Sequence, residues 1–167
     1  MELIEIKGLF EMDFGAPMPV VLSNDTELLL AFYAEQKNMP AIPQQKHIID
    51  DTGVVALKFK RYLKYTFGVP GDEAINGHPY SKLGMKSYSF YELRDSDFIK
   101  SLQHIDKMHP QYHPDKWKMF KHYILTFHDN MFECIAESFE VREDDVSLYN
   151  QASDMFNELM RKNLSPH

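Results

Sequence analysis

Residues 54–67, VVALKFKRYLKYTF, alternate between apolar and polar side chains along most of their length. Only an extended strand sends successive side chains to opposite sides, so this stretch must lie in a sheet. Val55, Leu57, Phe59, Leu63, Tyr65 and Phe67 share one face, and Lys58, Lys60 and Lys64 share the other. The expectation is one continuous strand, dry on one side and kept soluble by lysines on the other. Arg61 falls on the dry face. A charge there needs a carboxylate or a way out to water, and otherwise it is free to hold a ligand anion.

The rest of the chain extends this β-rich reading. VVLSNDTELLLAFY (20–33) sets two apolar runs around Asn24-Asp25, a hairpin signal. The proline-bearing stretch 38–53 reads as a loop, long enough to act as a lid. MKSYSFYEL (85–93) is a further strand. In 95–108, Phe98, Ile99, Leu102 and Ile105 stand at helical spacing behind an Asp or Ser cap, and His109-Pro110 ends the helix. A short helix opens at Pro114, with Trp117 and Phe120 expected to face inward. HYILTF and MFECIA form a closing hairpin. A final helix over 146–162 carries an apolar stripe of Leu148, Tyr149, Ala152, Met155, Phe156 and Leu159. Strands dominate without βαβ alternation. The expected class is therefore α+β, a curved antiparallel sheet or open barrel with about three helices packed on it. One domain is expected over 1–162, with a frayed tail at 163–167.

Composition narrows the function classes. With 25 acidic against 18 basic side chains the net charge is −7, which disfavours a phosphate-binding surface. Nucleic-acid binding through Lys58, Lys60 and Lys64 is accordingly the weakest option, and no nucleic-acid partner is expected. One cysteine forms no internal disulfide. No run reaches the roughly 20 apolar residues that span a bilayer, and the first residues do not form a signal peptide, so no membrane is expected and the expected location is cytoplasmic.

Two segments could carry chemistry. FGVPGDEAINGHPYSKLG (67–84) follows the long strand and is rich in glycine and proline, so its backbone must turn repeatedly. It holds Asp72, Glu73, Asn76 and His78. It is no phosphate loop, because the lysine and spacing of that motif are missing. The second segment is FHDNMFEC (127–134). A reversal at Asp129-Asn130 would set Phe127 opposite Phe132, Thr126 opposite Glu133, and His122 opposite Glu137. Tyr123, Leu125, Phe127, Phe132, Cys134 and Ala136 then make a core face, and His122, Ile124, Thr126, His128, Glu133, Ile135 and Glu137 make the opposite one. His128 could pair with Glu133, and His122 with Glu137.

Cys134 belongs to the core face, where a thiol behaves as a small hydrophobe. His109 and His113 are each followed by proline, so they do not share a helix face at metal-ligand spacing; His104 is expected to be exposed. Neither a metal nor a cofactor is expected. The acidic run ESFEVREDD (137–145) reads as a solvated strand end leading into a helix, or as a face for a basic partner.

In FGVPGDEAINGHP, the strand reaching YEL, and HYILTFHDNMFECIA, the chain resembles an uncharacterised bacterial protein family. Tyr80 stands where that pattern usually has leucine. The resemblance implies a shared fold around these segments and brings no activity, substrate or cofactor.

Two functional classes follow. One is a small acidic binding domain that recognises a protein or small polar ligand. The other is an enzyme with hydrolase-like acid–base chemistry. It would use Glu73 or Glu133 as base and His78 or His128 as acid or orienter, with Arg61, Asp72, Asn76 and Thr126 holding the ligand. The second class requires the 67–84 loop to fold over the hairpin.

Overall fold

The alternating stretch does not run through as one strand. A computed structural model describes residues 1–35, 52–144 and 146–162. In it the chain breaks at Arg61, whose φ of 50° is left-handed. The break divides β4 (Thr52–Lys60) from β5 (Lys64–Gly68). Around them lie β1 (Glu2–Glu5), β2 (Val20–Ser23), β3 (Leu28–Glu35), β6 (Ser89–Arg94), β7 (Lys121–Thr126), β8 (Met131–Ala136) and β9 (Ser138–Asp144). Two helices, α1 (Asp97–Asp106) and α2 (Leu148–Lys162), complete the regular elements, with short 3-10 turns at Asp72–Gly77, Ser81–Leu83 and Pro114–Met119. The expected loop 38–53 lies outside the described residues except for Thr52 and Gly53, which already belong to β4. The tail 163–167 also lies outside them.

The strands form two antiparallel sheets rather than one curved sheet, in the orders β1-β6-β7-β8-β5 and β2-β3-β4-β9. They do not close into a barrel. They share a corner, where β4 bends into β5 and β8 bends into β9. There the Glu137 N–H donates to the Lys60 carbonyl at 3.0 Å, and the Leu63 N–H to Ile135 at 2.8 Å. Arg61 resolves its misplaced charge at this corner by leaving the core face. Its Nε lies 3.3 Å from Glu137 Oε2, on the outside of the bend.

Burial follows from this layering. Leu28, Leu30, Phe32, Val55, Leu57 and Phe59 of one sheet meet Phe90, Tyr123, Leu125, Phe132 and Cys134 of the other. Each large apolar side chain buried here contributes about 1.5–3 kcal/mol. Most of the opposite face of β4 is not wet, as its lysines suggested; among its described side chains only the Lys60 end is exposed. Val54 and Ala56 pack with Leu148, Met155 and Leu159 of α2. Lys58 is drawn into that interface between Glu27, at 2.9 Å, and Glu158 of α2. Tyr149 and Phe156 of the expected stripe are exposed instead. They follow Leu148 and Met155 by one residue, about 100° around the helix. On the far side of the five-stranded sheet, Ile75, Met85 and Tyr80 from the 72–88 region cover Tyr91, Leu93 and Ile124. No helix among the described residues is long and apolar enough to cross a membrane.

Candidate functional site

The hairpin pairs with Thr126 opposite Met131 and His122 opposite Ile135, and the Phe127 N–H donates to the Asn130 carbonyl at 2.8 Å. The reversal is therefore centred on His128-Asp129, one residue before the expected position. A shift of two in register keeps each side chain on its expected face but changes every partner. His122 does not meet Glu137, and His128 does not meet Glu133. The face opposite the core is also buried in part: His122 and Ile124 are 0% exposed, and Thr126 1%. Thr126 serves the backbone there, accepting from the Ser89 N–H at 2.9 Å and donating to the Lys86 carbonyl at 2.8 Å.

The 67–84 loop does fold over this hairpin. It brings His78 Nε2 to 3.4 Å from Glu133 Oε1. The other carboxylate oxygen, Oε2, lies 2.9 Å from His122 Nε2, with the ring N–H turned off the line of a regular hydrogen bond. His122 Nδ1 is 2.8 Å from Ser96 Oγ, which also caps α1 by accepting from the Phe98 and Ile99 N–H groups. The Tyr80 N–H donates to His78 Nδ1 at 3.3 Å. Each Nδ1 thus has a partner of its own, and each Nε2 faces the carboxylate. Tyr80 and Phe98 set their rings edge-on to His122 at 5.9 and 5.4 Å. Burial alone would push the Glu133 carboxyl up, but His122 and then His78 outweigh it and bring it down to about 2.

Most polar groups of this network are committed to one another. Ser96 Oγ is engaged by two backbone N–H groups and by the His122 ring, which leaves it little capacity for a substrate. What the arrangement does is lock α1, the 67–84 loop and the hairpin to one another.

The second polar cluster is at the surface. His128 Nδ1 lies 2.8 Å from Asp72 Oδ2, and the Tyr88 hydroxyl lies 2.9 Å from Nδ1 and 3.3 Å from Oδ2. The Asp72 N–H donates to the His128 carbonyl at 2.7 Å. The hydrogen bond from His128 lowers the Asp72 carboxyl, and the same bond raises the His128 imidazole. Gly71, Asp72, Glu73, Ala74, His128 and Asp129 line a shallow cleft here. Glu73 is exposed at its rim and Asn76 is exposed outside it. Arg61, at the sheet corner, is bound to Glu137 and Met119. The four expected catalytic residues therefore divide. His78 and Glu133 meet in one network with His122, His128 pairs with Asp72, and Glu73 lines the same cleft as that second pair.

A third feature escaped the residue-by-residue reading. No residue of α1 is buried, although its apolar stripe is regular. Ile105 is 67% exposed and Met108, just beyond the helix, 87%. Trp117 and Phe120 do not complete a core. With Leu63, Lys64, Leu102 and Ile105 they line an open groove between α1, the 114–119 turn and the start of β5. Trp117 is fixed there by its indole Nε1–H, which donates to Asp106 Oδ2 at 3.0 Å. The sequence carried no clear signal for this groove, since Trp117 and Phe120 at a short helix read equally well as core residues. Cys134, by contrast, is fully buried as expected, and burial pushes its thiol up. No family model matches the chain, and no curated protein or solved structure is significantly similar to it.

Proposed function

We propose that the chain is an interaction domain that takes up a short segment of a partner protein in the groove between α1 and β5. The observation that carries this reading is the incomplete burial of α1, whose apolar stripe faces a fixed tryptophan across an open groove. Exposed apolar side chains gathered around an anchored aromatic ring are the composition of a binding hot spot. The polar residues that looked catalytic speak less strongly, since His78 and Glu133 are committed to each other and to His122. Panning a random twelve-residue peptide library against the immobilised chain tests the reading. Selected peptides should change Trp117 emission, and Ile105→Asp should abolish that response. Peptides that bind without disturbing Trp117 would remove the groove from consideration.

Acid–base chemistry at His128 is a second reading, supported by Asp72 on Nδ1 and by an Nε2 with no partner among the described residues. A panel of p-nitrophenyl esters and phosphates would test it. Turnover that His128→Gln abolishes would support it, and turnover indifferent to that change would end it.

A further inference from the structure

The groove that the interaction reading uses is also charged. Lys64 and Lys116 both line it. Several neighbouring lysines have found carboxylates, Lys60 on Glu140, Lys100 on Asp95, Lys118 on Asp115 and Lys121 on Glu92, although Lys107, outside the groove, has none among the described residues. Among the described residues no carboxylate lies within ion-pair distance of Lys64 or Lys116. Lys64 instead rests over the Phe98 ring, its Nζ 5.5 Å from the centroid. The acid within the groove, Asp106, has Oδ2 directed at the Trp117 indole. The chain as a whole is acidic at −7, yet residues 97–121 carry five lysines against three aspartates. A locally basic stretch of an acid-rich chain therefore borders the open apolar groove, and two of the cations lining it have no carboxylate partner among the described residues.

We infer that the segment this groove accepts is acidic as well as apolar. Its leucine- or phenylalanine-like anchor lies against Trp117 and Ile105, and a carboxylate on each side reaches Lys64 and Lys116. This inference rests on the groove reading and adds the chemistry of the partner. Rim charges of this kind select among partners and speed encounter more than they tighten the complex. Each rim pair is weak in isolation, so the two together give roughly a tenfold preference.

The test uses two synthetic ten-residue peptides with the same two leucines and one phenylalanine, flanked by glutamates in one and by lysines in the other. Binding to the full chain is followed by Trp117 emission at low salt. The glutamate peptide should bind about tenfold tighter, and Lys64→Glu with Lys116→Glu should reverse the order. Equal affinities, or a preference for the lysine peptide, would overturn the acidic partner. The groove reading would survive that result as long as library-selected peptides still report at Trp117. Failure of both synthetic peptides while selected ones bind would overturn the acidic inference alone. Silence of every peptide at Trp117 would overturn both. Self-association in sedimentation that Ile105→Asp abolishes would assign the groove to a second copy of the chain and likewise overturn the inference.

Discussion

Glu133 is the residue on which the buried network depends, because one carboxylate serves two imidazoles from different elements. Its carboxyl falls from an ordinary 4.5 to about 2 in the folded chain. A depressed folded value means that the stabilisation is complete above the unfolded value and is lost as pH falls through the folded one. Stability should therefore decline between about pH 4.5 and pH 2, by on the order of 2–3 kcal/mol from this group. In Glu133→Gln that decline should be absent, at a cost of about 2–4 kcal/mol near neutral pH. Urea unfolding of both proteins at several pH values measures the two effects; parallel pH curves would assign the acid sensitivity to other groups. Only part of this residue-scale picture was legible in the sequence. Period two sorted His122, Thr126 and Glu133 onto one face, and the lone cysteine onto the other. It could not show that loop 67–84 buries the first face, because burial by a distant segment leaves no mark on alternation. Tyr80 is a member of that covering layer and lies edge-on to His78 and His122.

At the scale of elements, the loop is held against the hairpin by the close approach of two backbones. A Cβ added at Gly71 would sit 2.5 Å from the His128 carbonyl oxygen and 3.0 Å from the Asp129 backbone. Neither neighbour is a flexible side chain, so one backbone must move. Gly71→Ala should cost about 1–3 kcal/mol and stretch the Asp72 N–H bond to His128. His128 should then lose its close carboxylate, and its raised titration midpoint should fall towards an ordinary value. An NMR titration of the His128 ring measures this, and an unchanged midpoint would show that Asp72 holds the ring without help from Gly71. The same docking accounts for the missed register. From local sequence Asp129-Asn130 is the better turn, but Asp72 engages His128 through backbone and side chain, and the reversal settles one residue earlier. The break at Arg61 was hidden for a related reason. Tyr65 returns to the same intersheet core as Phe59, so the apolar period runs on through the bend. The misplaced charge was the one local sign of a corner.

For the whole molecule, the sheets are built from distant partners: β1 pairs with β6, β4 with β9 and β5 with β8. No local stretch of sequence reports such pairings, which is why strands were legible and a two-sheet sandwich was not. Once formed, the sandwich shares one intersheet core and should unfold as a unit. The segment from α1 through the 114–119 turn is different, since neither element has a buried residue. It is held at its start by Ser96 on His122 and within itself by Asp106 on Trp117. Elements with so little burial open at a lower free energy than the core they rest on. Trp117 emission should therefore change at lower urea than the far-ultraviolet signal of the sheets. A groove ligand at a hundred times its Kd would add about 2.7 kcal/mol to the closed segment and bring the two transitions together. Coincident curves without ligand would mean that the segment is as firmly fixed as the core, and the groove would then be a rigid platform instead of one that closes on its partner.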